Sequence, residues 1–107
     1  MTTFDKREEA FEQQFVHDEE LKFKATVRRD RLLGLWAAEK LGLSGAAAES
    51  YAQEIVVADV EATASHDMFG RIRKDFDAKG VKISDHQIRR TMEELMAKAV
   101  NEVKIKG

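Results

Sequence analysis

The chain of 107 residues has no cysteine and no proline, and only one tryptophan and one tyrosine. Without cysteine there can be no disulfide and no thiolate-held metal; the lack fits a reducing compartment, and a cytoplasmic location is expected. Without proline, and with Gly34 the one glycine inside a strongly helical stretch, little stands in the way of long helices. No apolar run approaches the roughly 18 residues of a membrane span, so direct membrane insertion is not expected. The opening MTTFDKREE is polar and lacks the apolar core of a secretory leader. The 18 lysines and arginines are balanced by 20 aspartates and glutamates, and a net charge of −2 gives no broad basic field, which weighs against nucleic acid as a partner.

What the chain does have is alanine, glutamate, lysine and leucine in abundance, and enough apolar residues for one modest core. The pattern predicts an all-α protein, an antiparallel four-helix bundle over residues 18–107 with a flexible or partly helical N-terminal arm over residues 1–17. The first helix runs from about Asp18 to Leu41 and stops at Gly42, a residue suited to a left-handed turn. Ser44 offers a cap for a second helix, Gly45 to Ala64. This helix is apolar nearly all round its middle and is expected to be the most buried. Ser65 or Asp67 caps a short third helix carrying Met68, Phe69, Ile72 and Phe76, ending near Gly80. The fourth opens with the capping box Ser84-Asp85-His86-Gln87 and carries the stripe Ile88, Met92, Leu95, Met96, Ala99 and Val103. Glu94 and Lys98 stand four apart in the favourable order.

The front of the chain behaves differently. FDKREEAFEQQFVHDEE is acidic and punctuated by Phe4, Phe11 and Phe15, whereas the following LKFKATVRRDRLLGLWAAEKLG is basic and then apolar. Placed on a helix, the three phenylalanines centre roughly 80° from the line of Leu21, Ala25, Leu32, Leu35 and Trp36. A helix packed on one body keeps one face, so the front segment reads as built for another surface. Alone it lacks the packing that holds short helices, and it is expected to be frayed in the free protein. The competing reading makes the phenylalanines ordinary core at the end of the bundle. Trp36, among leucines, reads as core.

Chemistry is harder to find. His17, His66 and His86 have no metal-ligand spacing and read as surface or cap residues. Gly42-Leu43-Ser44-Gly45 is too short for a phosphate loop. Asp75-Phe76-Asp77-Ala78-Lys79-Gly80 mimics a calcium loop, but Lys79 and Lys82 intrude and His86 stands where a bidentate glutamate belongs. The last two helices mimic a DNA-reading pair through Arg89 and Arg90, yet Glu93 and Glu94 one turn on make local ion pairs the simpler reading. Nothing points to catalysis, no metal is called for, and no cofactor is required.

The stretches FDKREEAFEQQFVHDEELKFKA, VRRDRLLGLWAAEKLGLSG and SDHQIRRTMEELM together resemble the zeta-type ATP synthase inhibitors of alphaproteobacteria, over essentially the whole chain. One departure is Asp30, where the family pattern suggests asparagine after the paired arginines. The resemblance implies a regulatory protein, not an enzyme, whose N-terminal segment inserts into the catalytic head of the F-type ATP synthase and blocks hydrolysis. Partner contacts are then expected from Phe4, Phe11 and Phe15 as anchors, with Asp5, Lys6, Arg7, Glu8, Glu9 and Glu12 setting orientation and on-rate. The resemblance also implies ADP or ATP as a regulatory ligand that is bound but not hydrolysed. The cations suited to its phosphates are Lys22, Lys24, Arg28, Arg29 and Arg31. A solvated basic face paired with Asp18, Glu19 and Glu20 is the alternative. A nucleotide-binding regulator with weak or no ATPase inhibition is the alternative function.

Overall fold

The computed structural model describes residues 19–61 and 67–106. Among them lie four helices and no strand: α1 (Glu19–Lys40), α2 (Gly45–Val60), α3 (Met68–Lys79) and α4 (Asp85–Lys106). Helix α1 is the centre of the arrangement, flanked by α2 on one side and α4 on another, while α3 packs on α2. The α1–α2 pairing is antiparallel: Arg29 early in α1 meets Asp59 late in α2, and Gly34 meets Ala52 further along.

The joints follow from their residues. Gly42 takes a left-handed φ of 82°, and Leu43 N–H donates to the Ala38 carbonyl while Gly42 N–H donates to that of Glu39. Gly80 (φ 72°) repeats the pattern, with Val81 N–H on the Phe76 carbonyl and Gly80 N–H on that of Asp77. Both are Schellman turns, which satisfy carbonyls left over at a helix end. At the N-termini, the Asp67 carboxylate accepts from Gly70 N–H and so caps α3. Ser84 and Gln87 close a reciprocal capping box on α4: Gln87 N–H donates to Ser84 Oγ, and Ser84 N–H donates to Gln87 Oε1. Ser44 has the extended backbone of a cap residue, but its hydroxyl makes no capping bond.

The main core joins all four helices. Leu33, Ile55, Ile72, Phe76 and Ile88 are wholly buried within it, and Trp36 sits partly buried at its edge, 5.8 Å edge-on to Phe76. A second, smaller cluster pairs Ala25 with Val103 where α1 meets α4. The Tyr51 hydroxyl donates to Asp75 at 2.8 Å, and Arg71 bridges Asp75 and Glu54, so a polar network ties α2 to α3 at the rim. Burial, and next the Asp75 hydrogen bond, push the Tyr51 phenol above its usual range.

Two expectations are corrected here. The most buried helix is α1, not α2: Ala25, Asp30, Leu33, Gly34, Ala37 and Ala38 are hidden, whereas Val57 and Val60 of α2 stand 42% and 58% exposed. The reason is the size of the α1 residues, since glycine and alanine let neighbours close on the backbone from two sides. Helix α2 ends at Val60, with Glu61 as its C-terminal cap, short of the expected Ala64. Its β-branched residues give the last turn little helix propensity. Glu94 accepts from Arg90 at 3.1 Å, one turn before it, one of the local pairs the spacing suggested.

Gly34 marks the closest approach. A Cβ built there would stand 2.6 Å from the Ala52 Cα, a backbone atom that cannot step aside. Replacing Gly34 by alanine gains about 1 kcal/mol of helix propensity, while overpacking costs about 1–3 kcal/mol. A net loss of up to about 2 kcal/mol is expected in urea unfolding, and a net gain would contradict the close α1–α2 contact.

Candidate functional site

The partner-binding residues expected from the sequence, Phe4, Asp5, Lys6, Arg7, Glu8, Glu9, Phe11, Glu12 and Phe15, lie outside the described residues, as do His17 and His66. The five cations expected to meet phosphate are divided by the structure between two faces of α1. Lys24, Arg28 and Arg31 recur at i, i+4 and i+7 and share one face; Lys22 and Arg29, seven apart, share another. Periodicity alone carried this division, since residues five apart diverge on a helix.

Lys24, Arg28 and Arg31 border an open groove of about 720 Å³ between α1 and α4. Val27, Leu32 and Val103 give it apolar walls, Glu102 enters from α4, and Phe23 stands at its edge with 60% of its surface exposed. Lys24 lies 3.4 Å from Glu20, Arg28 3.5 Å from Glu102, and Arg31 2.6 Å from Glu49 on α2. The solvated basic face was expected to pair with Asp18, Glu19 and Glu20. Lys24 does pair with Glu20, but both arginines reach other helices instead. Each guanidinium keeps further N–H donors, and these pairs are partly exposed, so each contributes no more than about 1 kcal/mol. An anion entering the groove competes with two glutamates whose pairs with the arginines are partly exposed.

Sequence reasoning missed Phe23, Val27 and Leu32 as groove residues, and the α4 contribution of Glu102 and Val103. Phe23 had a signal, an aromatic between two lysines and off the buried stripe. Glu102 had none, because its meeting with Arg28 spans 74 positions of chain. The groove combines cations, one carboxylate, an exposed ring and aliphatic walls. That set suits holding a planar, negatively charged ligand, and it contains no serine, cysteine or histidine to serve as nucleophile or base.

On the other side of α1, Arg29 turns inward. Its Nε donates to Asp30 Oδ1 at 2.7 Å, and its Nη2 lies 3.7 Å from Asp59 Oδ2 on α2. Arg29 is 14% exposed and Asp30 is fully buried, the single buried charged residue among those described. Burial first, and then the facing carboxyl of Asp59, push the Asp30 carboxyl up to about 8, against the opposing pull of Arg29. Arg29 is therefore occupied with holding two helices together and is not presented to a ligand in the groove.

The look-alike sites resolve into ordinary pairings. Asp75 serves Tyr51 and Arg71, and Asp77 accepts from Arg73 at 2.7 Å, so the calcium-like acids are engaged with hydroxyl and guanidinium groups. No group of three or more metal-ligating side chains occurs among the described residues. Arg90 pairs with Glu94 as the sequence suggested. Arg89 instead lies 4.2 Å above the Phe69 ring, a cation–π contact joining α3 and α4. His86 is exposed in the first turn of α4. No helix among the described residues is long and apolar enough to cross a membrane.

Comparison with known proteins fits this frame. No curated protein matches the chain. A solved protein, described as a solution NMR structure, superposes with a TM-score of 0.68 at 38% sequence identity. The match covers 81% of this chain and 99% of that one. A family model described as ATPase inhibitor subunit zeta matches residues 1–102. With its all-helical body and family match over nearly its whole length, the chain belongs to the ATPase inhibitor subunit zeta family.

Proposed function

We propose that the protein restrains ATP hydrolysis by an F-type ATP synthase, on the cytoplasmic side, by inserting residues 1–17 into the catalytic head. The observation that carries this reading is the family match, which begins at residue 1 and therefore takes in the acidic, phenylalanine-bearing segment. The arm's pattern supports it: the spacing of Phe4, Phe11 and Phe15 would put them on one side of a helix formed against a partner groove, and the charges around them suit orientation and fast encounter. Ordering such a segment on its partner costs conformational entropy but permits a long, specific contact. Helices α1 to α4 act as the body that carries the segment, and the protein is a regulator with no catalytic step of its own.

A second reading is supported by the groove between α1 and α4. In it ADP or ATP is held with its phosphates on Lys24, Arg28 and Arg31 and its base against Phe23, as a regulatory ligand. Charge-assisted bonds from the arginines, replacing the partly exposed ion pairs with Glu102 and Glu49, supply the phosphate contact. A protein with this ligand and little grip on the ATP synthase is a nucleotide-dependent regulator.

The two readings separate experimentally. Deleting residues 1–15 is expected to leave the helical circular dichroism and cooperative unfolding of the body intact while abolishing inhibition of ATP hydrolysis by the purified synthase. Undiminished inhibition by the truncated chain removes the arm as effector. In calorimetric titration with ADP, replacing Arg28 and Arg31 together by alanine is expected to weaken binding by at least about tenfold, from two lost charged hydrogen bonds. Unchanged affinity in that double variant places the nucleotide elsewhere.

A further inference from the structure

The buried cluster of Arg29, Asp30 and Asp59 plays no part in either reading above, and its composition is unbalanced. One guanidinium faces two carboxyl groups where α1 meets α2. Asp30 Oδ1 has its donor in Arg29 Nε, but the other oxygen, Oδ2, is buried and finds no hydrogen-bond partner. A buried carboxylate oxygen without a donor is costly, and a second carboxyl beside it adds repulsion. Both faults disappear if Asp30 holds a proton: the acid then has an O–H to donate, the facing Asp59 carboxylate can accept it, and the cluster becomes neutral.

We propose that Arg29, Asp30 and Asp59 form a proton-operated latch between α1 and α2, closed by a proton shared between the two carboxyl groups and released when that proton leaves. In the closed state the charges are +1 on Arg29, 0 on Asp30 and −1 on Asp59. Loss of the proton to solvent leaves a net −1 in a joint with little access to water. The strain is relieved by moving the last turn of α2, which holds Asp59, away from α1. That end of α2 is suited to yield, because Val57 and Val60 are already exposed and the helix stops at Val60. Further along the joint, the Gly34–Ala52 contact leaves no slack.

The neighbouring charges do not undo the imbalance. On α1 itself the partner is Arg29. From α2 it is Asp59. From α4, Arg89 and Glu93 open on the same cleft as the outer side of Arg29 and bring one charge of each sign, with Arg89 already seated on the Phe69 ring of α3.

The direction of the pH effect follows. Asp30 ionises near the ordinary value of 3.8 when unfolded, and at about 8 when folded. Between those values the folded chain holds a proton that the unfolded chain has lost, so stability is highest on the acid side and falls as pH rises towards about 8, then levels off. Linkage of one proton raises the unfolding constant by up to about tenfold per pH unit in that window.

Urea unfolding of the whole chain from pH 5 to 9, with a carbon-13 carboxyl titration by NMR, tests the latch. The wild-type protein is expected to lose stability across this range and to show one aspartate titrating well above the carboxylate range. In Asp30→Asn the amide donates to Asp59 at every pH and its oxygen still accepts from Arg29. This variant is expected to fold, to lose that titration and to show a flattened stability profile. Asp59→Asn is expected to lower the Asp30 midpoint, since an amide then donates to the Asp30 carboxylate. An Asp30 midpoint near 4 in the wild-type protein, or an equally steep stability loss in Asp30→Asn, overturns the proposal. Should Asp59→Asn fail to fold, the wild-type titration and the Asp30→Asn profile decide the matter alone.

Discussion

The structure depends on the backbone of α1 being thin enough for two helices to close on it. Gly34, Ala37 and Ala38 present almost no side chain, and Gly34 lets the Ala52 backbone come so near that even a methyl group does not fit. Close approach brings Leu33 and Ile55 into full burial and draws Arg29 and Asp30 into the same joint as Asp59. Dispersion and hydrophobic burial at this contact favour the fold without large side chains. The same closeness turns an otherwise surface-type ion pair into a buried one, where protonation state matters.

From that constraint follows a division of α1 into faces with different work. One face packs into the core through Leu33, Ala37 and Trp36, and one turn before Leu33 the same face is locked to α2 through Arg29. Another carries Lys24, Arg28 and Arg31 above an apolar groove completed by α4, with their glutamate partners near the surface. A cation on a helix is defined by its angular position as much as by its charge. Two arginines adjacent in sequence, Arg28 and Arg29, therefore end in opposite roles: one borders a ligand-sized groove and the other braces the fold.

Much of this was legible in the residues. Helix number, the Gly42 and Gly80 turns, the Ser84–Gln87 box and the Ile72 and Phe76 burial all follow from local chemistry, and local chemistry survives folding. The relative burial of α1 and α2 did not follow, because burial was inferred from the hydrophobicity of each helix, while small residues gain it through what packs upon them. Asp30 had a readable signal: Leu33, Gly34 and Ala37 recur three, four and seven residues on, which places the carboxyl on the packed face. Its meeting with Asp59 was not readable, since it depends on the register of α1 against α2. The groove was half visible, through the spacing of its three cations on α1. The other half, Glu102 and Val103, comes from the far end of the chain and becomes a neighbour only when α4 returns along α1.

The central functional claim is that the segment before α1 meets the ATP synthase while the helical body carries it. Amide hydrogen exchange on the whole protein, free and bound to the isolated catalytic head, tests this most directly. Binding is expected to slow exchange mainly between residues 4 and 15, with α2, α3 and α4 little changed. Protection concentrated in the α1–α4 groove, with none before residue 15, contradicts it.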